Sequence, residues 1–262
     1  MTTLHGFDGG DGAWIAAGVI RATDGNFYGT TEQGGVAPNS TGTVFQITPG
    51  GTLTTLHNFN NDGSEGGRIW AGLLQATNGT FYGAAMYWAA YGDGTIFSLS
   101  TGLGPFVTFV RDSGKIGWKA EILGQGFTGT TAVSFNGTPA AGFTVKSDTY
   151  LLATVPADVT TGPATVTTPS AILASNVPFR VRPTILSFSP TSGPVGTQVT
   201  ITGVSLTQTT KVGFGGVPAI DFTVNSDAQV TATVPSGAQT GKIAITTAGG
   251  KTWSTGAFTV TQ

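Results

Sequence analysis

An all-β fold is predicted by three features of this 262-residue chain. Valine, isoleucine, phenylalanine and threonine alternate in short runs, the period of a half-buried strand. Gly 41 and Pro 13 interrupt those runs at close intervals, as turn-rich β proteins require. The chain also repeats itself at two different periods, and neither repeat has a helical hydrophobic pattern.

Composition excludes several classes of function. Charged residues make up 9% of the chain and the net charge is −2, so no basic surface is present to collect phosphates and no nucleic-acid partner is expected. Cys 0 removes disulfides, thiolate metal sites and a cysteine nucleophile together. No apolar run approaches the ~18 residues of a membrane helix, so no membrane insertion is expected. Met1-Thr2-Thr3 carries neither region of a signal peptide, and Leu4 already lies inside a repeat. The chain is therefore expected to be a piece of a longer protein.

The N-terminal repeat has a period of 52 to 54 residues. Leu4-His5-Gly6-Phe7 recurs as Leu56-His57-Asn58-Phe59, Asp8 to Gly29 as Asp62 to Gly83, and Gly42-Thr43-Val44-Phe45 as Gly94-Thr95-Ile96-Phe97. One unit holds four apolar runs, at residues 53–59, 71–76, 80–84 and 95–99. Asp24-Gly25 and Asn78-Gly79 separate two of them, which predicts a type I′ hairpin with positive φ at both central residues. Four strands in about 50 residues is the size of a propeller blade. Two propeller-like units are thus expected over residues 1–102, and a ring needs about four to eight. Pro105 to Phe109 reads as the opening strand of a third unit, after which the pattern stops.

Residues Ala17-Gly18-Val19-Ile20, Ala22 to Thr31 and Gly42 to Phe45 resemble the Gly-rich tandem repeat called GloVer. That resemblance implies a surface protein of soil bacteria.

The second repeat has a period of 79. It places Gly114 on Gly193, Gly124 on Gly203, Phe135 on Phe214, Ser147-Asp148 on Ser226-Asp227 and Ala153-Thr154-Val155-Pro156 on Ala232-Thr233-Val234-Pro235. About seven short strands per copy, with frequent turn signals, predict two immunoglobulin-like β-sandwiches, at residues 103–182 and 183–262. Val133/Phe135, Phe143/Val145 and Val166 should face the first core. Val212/Phe214, Phe222/Val224 and Ile245 should face the second. In the second copy, Ser187 to Gly196, Val199 to Gly203, Phe214-Gly215-Gly216-Val217-Pro218 and Val230 to Pro235 resemble the IPT/TIG family. The first copy departs at Val110-Arg111-Asp112-Ser113-Gly114, which lacks the proline-containing opening, and at Trp118, where the second has Thr197.

Few residues could carry chemistry. His5 and His57 are equivalent in the repeat, and a histidine that recurs with its repeat reads as packing or hydrogen bonding. No G-x-S-x-G elbow or phosphate-binding glycine loop is present, so no enzyme is expected. Asp8 and Asp11 align with Asp62 and Glu65 on Gly-rich loops. Such carboxylates suit Ca²⁺, or serve simply as turn formers; the turn reading is the expectation, with no cofactor. Trp70, Tyr87, Trp88 and Tyr91 place aromatic rings around a loop that is polar in the first unit, where they can form a protein interface, stack on sugars or cap the array. The expected protein is a non-enzymatic, secreted or cell-surface scaffold for adhesion, self-associating through its N-terminal repeats as a homo-oligomer. The alternative is a carbohydrate-binding accessory module of a glycan-degrading system, with a polysaccharide partner.

Overall fold

The computed structural model describes residues 1–36, 40–62, 64–87 and 90–262, and every regular element among them is a strand. The chain divides into two compact units, Met1–Phe106 and Val107–Gln262.

In the first unit, β1 (Ile20–Arg21), β2 (Phe27–Thr31), β3 (Ser40–Ile47) and β4 (Leu53–Asn60) form one antiparallel sheet in that order. A second sheet contains β5 (Leu74–Gln75), β6 (Phe81–Ala85) and β7 (Thr95–Leu99). Sheet and sequence repeat are out of phase by one strand. Leu53–Asn60 opens the second sequence repeat, yet it completes the sheet of the first. The Pro105 to Phe109 segment does not perform that service for β7: Thr108–Phe109 pairs instead with Leu123 and Ile122 in the second unit. Among the described residues the second sheet therefore has three strands where the sequence predicts four.

The hairpins also differ from the expected type. Ala22 N donates to Asn26 O at 2.9 Å and Gly25 N to Ala22 O at 3.0 Å. Among the turn residues only Gly25 has positive φ, at 84°. Thr23-Asp24-Gly25 is thus a three-residue loop ending in a left-handed glycine, and Ala76 to Thr80 repeats it with Gly79 at φ 88°. Across the next hairpin, Gly29 pairs Phe45 and Gly83 pairs Phe97. A Cβ on Gly83 would lie 2.4 Å from the Phe97 ring, and one on Gly29 2.6 Å from Phe45. The glycine of each Phe-Tyr-Gly triplet is there to seat the ring of the facing Val/Ile-Phe pair.

The two sheets share one core of Ala22, Tyr28, Val44, Phe59, Ile69, Leu73, Phe81 and Ala85. At its centre Tyr28 stacks on Phe81, with centroids 4.3 Å apart and planes 28° apart.

The second unit holds the two sandwiches, and the 79-residue offset maps strand onto strand. Lys119–Leu123 corresponds to Gln198–Val204, Ala132–Phe135 to Thr209–Phe214, Tyr150–Thr154 to Gln229–Thr233 and Ala164–Thr167 to Gly241–Thr247. Pairing registers are kept: Lys119 faces Thr154 as Gln198 faces Thr233, and Ser113 faces Arg180 as Ser192 faces Thr259. The short Thr108–Phe109 strand replaces the six-residue Thr184–Ser189, so the departure at the start of the first copy shortens a strand and leaves the fold intact. Val133, Phe135 and Val166 fill one core, and Val212, Phe214 and Ile245 the other. Phe143 is the exception: it lies exposed on the edge strand Gly142–Ser147, where no outer neighbour covers it.

The recurring Ser-Asp pair has a structural cause. Asp148 accepts from Gly126 N and Thr128 N; Asp227 accepts from Ser205 N, Thr207 N and the Thr207 hydroxyl. Each aspartate pins the loop that follows its central strand. Replacing Asp227 by alanine should cost about 1–2 kcal/mol, seen as a lower urea midpoint with an unchanged slope.

Candidate functional site

Both histidines point at the acidic turns. His5 Nε2 shares a hydrogen bond with Asp11 Oδ2 at 2.6 Å, and His57 Nε2 with Glu65 Oε2 at 2.5 Å. Each imidazole meets a phenylalanine edge-on, His5 on Phe7 and His57 on Phe59. Those rings lean on Phe45 and Phe97 in turn. Carboxylate, imidazole and two phenyl rings thus form one ladder, made twice. A cleft lies beside each ladder, of about 240 Å³ against His5, Phe7 and Phe45 and about 320 Å³ against His57, Phe59 and Phe97. The rest of their linings differ, because Ile15, Val19 and Phe27 line the first, whereas their counterparts Ile69, Leu73 and Phe81 are buried in the core.

The remaining carboxylate oxygens serve the turns. Asp8 Oδ1 accepts from Gly10 N and Asp11 N, while Asp8 N donates to Asp11 Oδ1. Burial opposes the charge on Asp11, but hydrogen bonds from the Asp8 backbone and the His5 ring outweigh it and hold the carboxyl below its usual range. Asp62 is held low by the Ser64 hydroxyl and backbone N–H. Ser64 Oγ therefore donates to Asp62, which leaves it no part in a nucleophile–base pair with His57. Among the described residues no three potential metal ligands converge.

Trp70, Tyr87 and Tyr91 belong to one end of the first unit. Gln33 pairs Ala13, and Glu32 N donates to Trp14 O. In the second repeat Gly67 pairs Tyr87, and Met86 N donates to Gly67 O. Arg68 N donates to Thr41 O, and the Arg68 guanidinium reaches the Glu32 carboxylate at 3.7 Å, so two bonds tie the repeats together at this end. Trp70, Tyr87 and Tyr91 are exposed here. Trp88 lies outside the described residues. Trp70 occupies the place of Ala16 in the first repeat and Tyr87 that of Gln33; both are aromatic gains with no counterpart in the repeat. Sequence reasoning missed the Glu32–Arg68 pair, because neither residue recurs: the counterpart of Glu32 is Met86 and that of Arg68 is Trp14.

Residues 1–125 match the Gloeobacter/Verrucomicrobia repeat, and residues 183–261 match the IPT/TIG domain. The C-terminal sandwich is thus similar to the IPT/TIG domain along almost its whole length. No curated protein matches the chain. Among solved structures, similarity is found to SGBP-B from a xyloglucan utilization locus of Bacteroides uniformis, at 24% identity over 58% of this chain and 48% of that one, TM-score 0.28. The surface glycan-binding protein PbSGBP-B of Prevotella bryantii matches at 17% identity over 61% and 40%, TM-score 0.39. SGBP-B from a mixed-linkage glucan utilization locus of Bacteroides ovatus matches at 18% identity over 62% and 47%, TM-score 0.25. The chain spans less than half the length of each of these three.

Proposed function

We propose that this chain is a non-enzymatic polysaccharide-binding module displayed outside the cell, with Trp70, Tyr87 and Tyr91 as its sugar platform. The observation that carries the reading is the gain of exposed rings on one loop end at positions where the first repeat has alanine and glutamine. A pyranose ring presents a flat face of C–H groups, which a flat aromatic side chain covers at little entropic cost. Low charge, and histidines whose Nε2 is taken up by a carboxylate of their own repeat with the nearby Ser64 hydroxyl committed to Asp62, favour binding over bond cleavage. The IPT/TIG domain and its first copy serve as a spacer for the platform.

Affinity electrophoresis in gels containing xyloglucan or mixed-linkage glucan tests this. Retention of the intact chain is expected on at least one β-glucan, and Trp70→Ala should weaken it about tenfold, equivalent to ~1.4 kcal/mol. Unretarded migration across a panel of soluble plant and microbial polysaccharides, or retention that survives loss of both Trp70 and Tyr87, would remove the proposal.

A further inference from the structure

The interface between the two sheets of the first unit supplies a ruler for its two outer faces. Inside the chain, Tyr28 and Val44 of the first sheet are covered by Phe81 of the second and by Ile69 and Leu73 of the segment that leads into it. Each of these has a counterpart one repeat away, on a face for which the first unit has no third sheet among the described residues. On the far face of the second sheet Tyr82 replaces Tyr28 and Ile96 replaces Val44; Tyr82 is 37% exposed against 2% for Tyr28, and Ile96 84% against 1% for Val44. On the far face of the first sheet Ile15 and Val19 replace Ile69 and Leu73, and both are about half exposed while their counterparts are buried. Phe27 stands there in the place of Phe81. Each outer face is thus one half of the interface that the chain already makes internally.

The polar end of that interface decides what covers these faces. Internally, Glu32 of the first repeat meets Arg68 of the second. At the equivalent places the outer faces carry Met86 and Trp14, both exposed. Both halves of the ion pair are therefore exchanged for apolar groups at once, and a methionine sulfur beside an indole is a favourable contact. Within one chain Met86 and Trp14 lie on opposite outer faces, so a matched exchange has a use only where the second sheet of one molecule meets the first sheet of another. An unrelated partner on one face would leave the change on the other without a role.

We infer that copies of this chain associate head to tail through their N-terminal repeats, continuing the internal sheet-to-sheet interface with Tyr82 over Phe27 and Met86 against Trp14 of the next copy. The contact is heterologous and ends in a closed ring or an open fibre. It uses none of the residues of the sugar platform, so either idea can fail without the other.

The test uses the intact chain and two charge substitutions at exposed positions, Val19→Glu on one face and Ile96→Glu on the other. Light scattering on the unmodified chain at high micromolar concentration should give a mass that is a multiple of 26.5 kDa. Each variant alone should be monomeric. Mixed in equal amounts, the two variants still have one intact face each, so they should form a dimer that grows no further. Tyr82→Ser, a milder change, should weaken association in the same direction and guards against a folding defect. An unmodified chain that stays monomeric would overturn the inference. So would a mixture that remains monomeric, or association abolished by only one of the two charge variants, the mark of a symmetric contact or of another partner surface.

Discussion

Replacing Phe81 by alanine is expected to lower the stability of the N-terminal unit by about 3–5 kcal/mol, while the thermal transition of the C-terminal unit stays in place. Phe81 is fully buried and stacks on Tyr28 where the two sheets meet. The core around it is small, with Phe59, Tyr28 and Phe81 as its large rings. Removing one opens a cavity that two short sheets have little material to refill, and such a loss is a large fraction of a small domain's total stability. The cores of the C-terminal unit contain only their own residues, which is why their transition should not follow. Phe27→Ala removes the same side chain from the equivalent but half-buried position, and its cost in the monomer should be markedly smaller. Calorimetry on both variants gives the comparison. Equal losses, or a Phe81→Ala chain melting where the unmodified one does, would mean that the two sheets do not depend on this interface.

That contrast also marks where the sequence was informative. The 79-residue repeat was legible to the level of register because its signals are local: Gly114, the Ala-Thr-Val-Pro runs and the Ser-Asp pair each fix a turn or a strand end in both copies. Asp148 and Asp227 show why such a pair recurs, since each satisfies backbone N–H groups of an earlier loop, the one that leaves the central strand of its sheet. The N-terminal period was equally legible, but a period has no starting point. Nothing in the order of four apolar runs says that Leu53–Asn60 closes the previous sheet instead of opening its own, and only long-range pairing with Ser40–Ile47 decides it. The Asp24-Gly25 dipeptide suits a two-residue loop and a three-residue loop alike, and only the bond from Ala22 N to Asn26 O decides for the longer one. Phe143 fits the alternating pattern yet lies exposed, whereas its counterpart Phe222, on an edge strand as well, packs against its core; alternation does not encode that difference.

The aromatic residues divide in the same way. Trp70 and Tyr87 could be found from sequence as departures from the repeat. Trp14 and Met86 could not, because their meaning depends on the Glu32–Arg68 contact between repeats. An exposed aromatic in a repeat protein is informative only after its buried counterpart has been located.

Within the C-terminal unit, Gly249→Ala is expected to break the coupling between the two sandwiches. The absence of a flexible linker at Arg182-Pro183 points to a stiff joint, and two contacts make it so. Gln208 accepts from Thr161 N and donates to Thr161 O, at 3.0 and 3.1 Å. A Cβ on Gly249 would fall 1.7 Å from Val181 O and 2.4 Å from the carbonyl carbon. Those atoms belong to backbone that Gly114 O already holds through Arg182 N at 2.8 Å, so they cannot turn aside as a flexible side chain would. The 248–250 turn must move away from the first sandwich, at a cost of about 1–3 kcal/mol. Gln208 is then expected to lose its hold on Thr161. In urea the unmodified unit should unfold with one steep slope, whereas Gly249→Ala should show two shallower steps, one for each sandwich. Gln208→Ala removes the hydrogen bonds and inserts nothing, so it should shift the midpoint slightly without splitting the transition. Two separate steps in the unmodified chain would show that the joint transmits no stability, and that the sandwiches behave as independent domains on a common string.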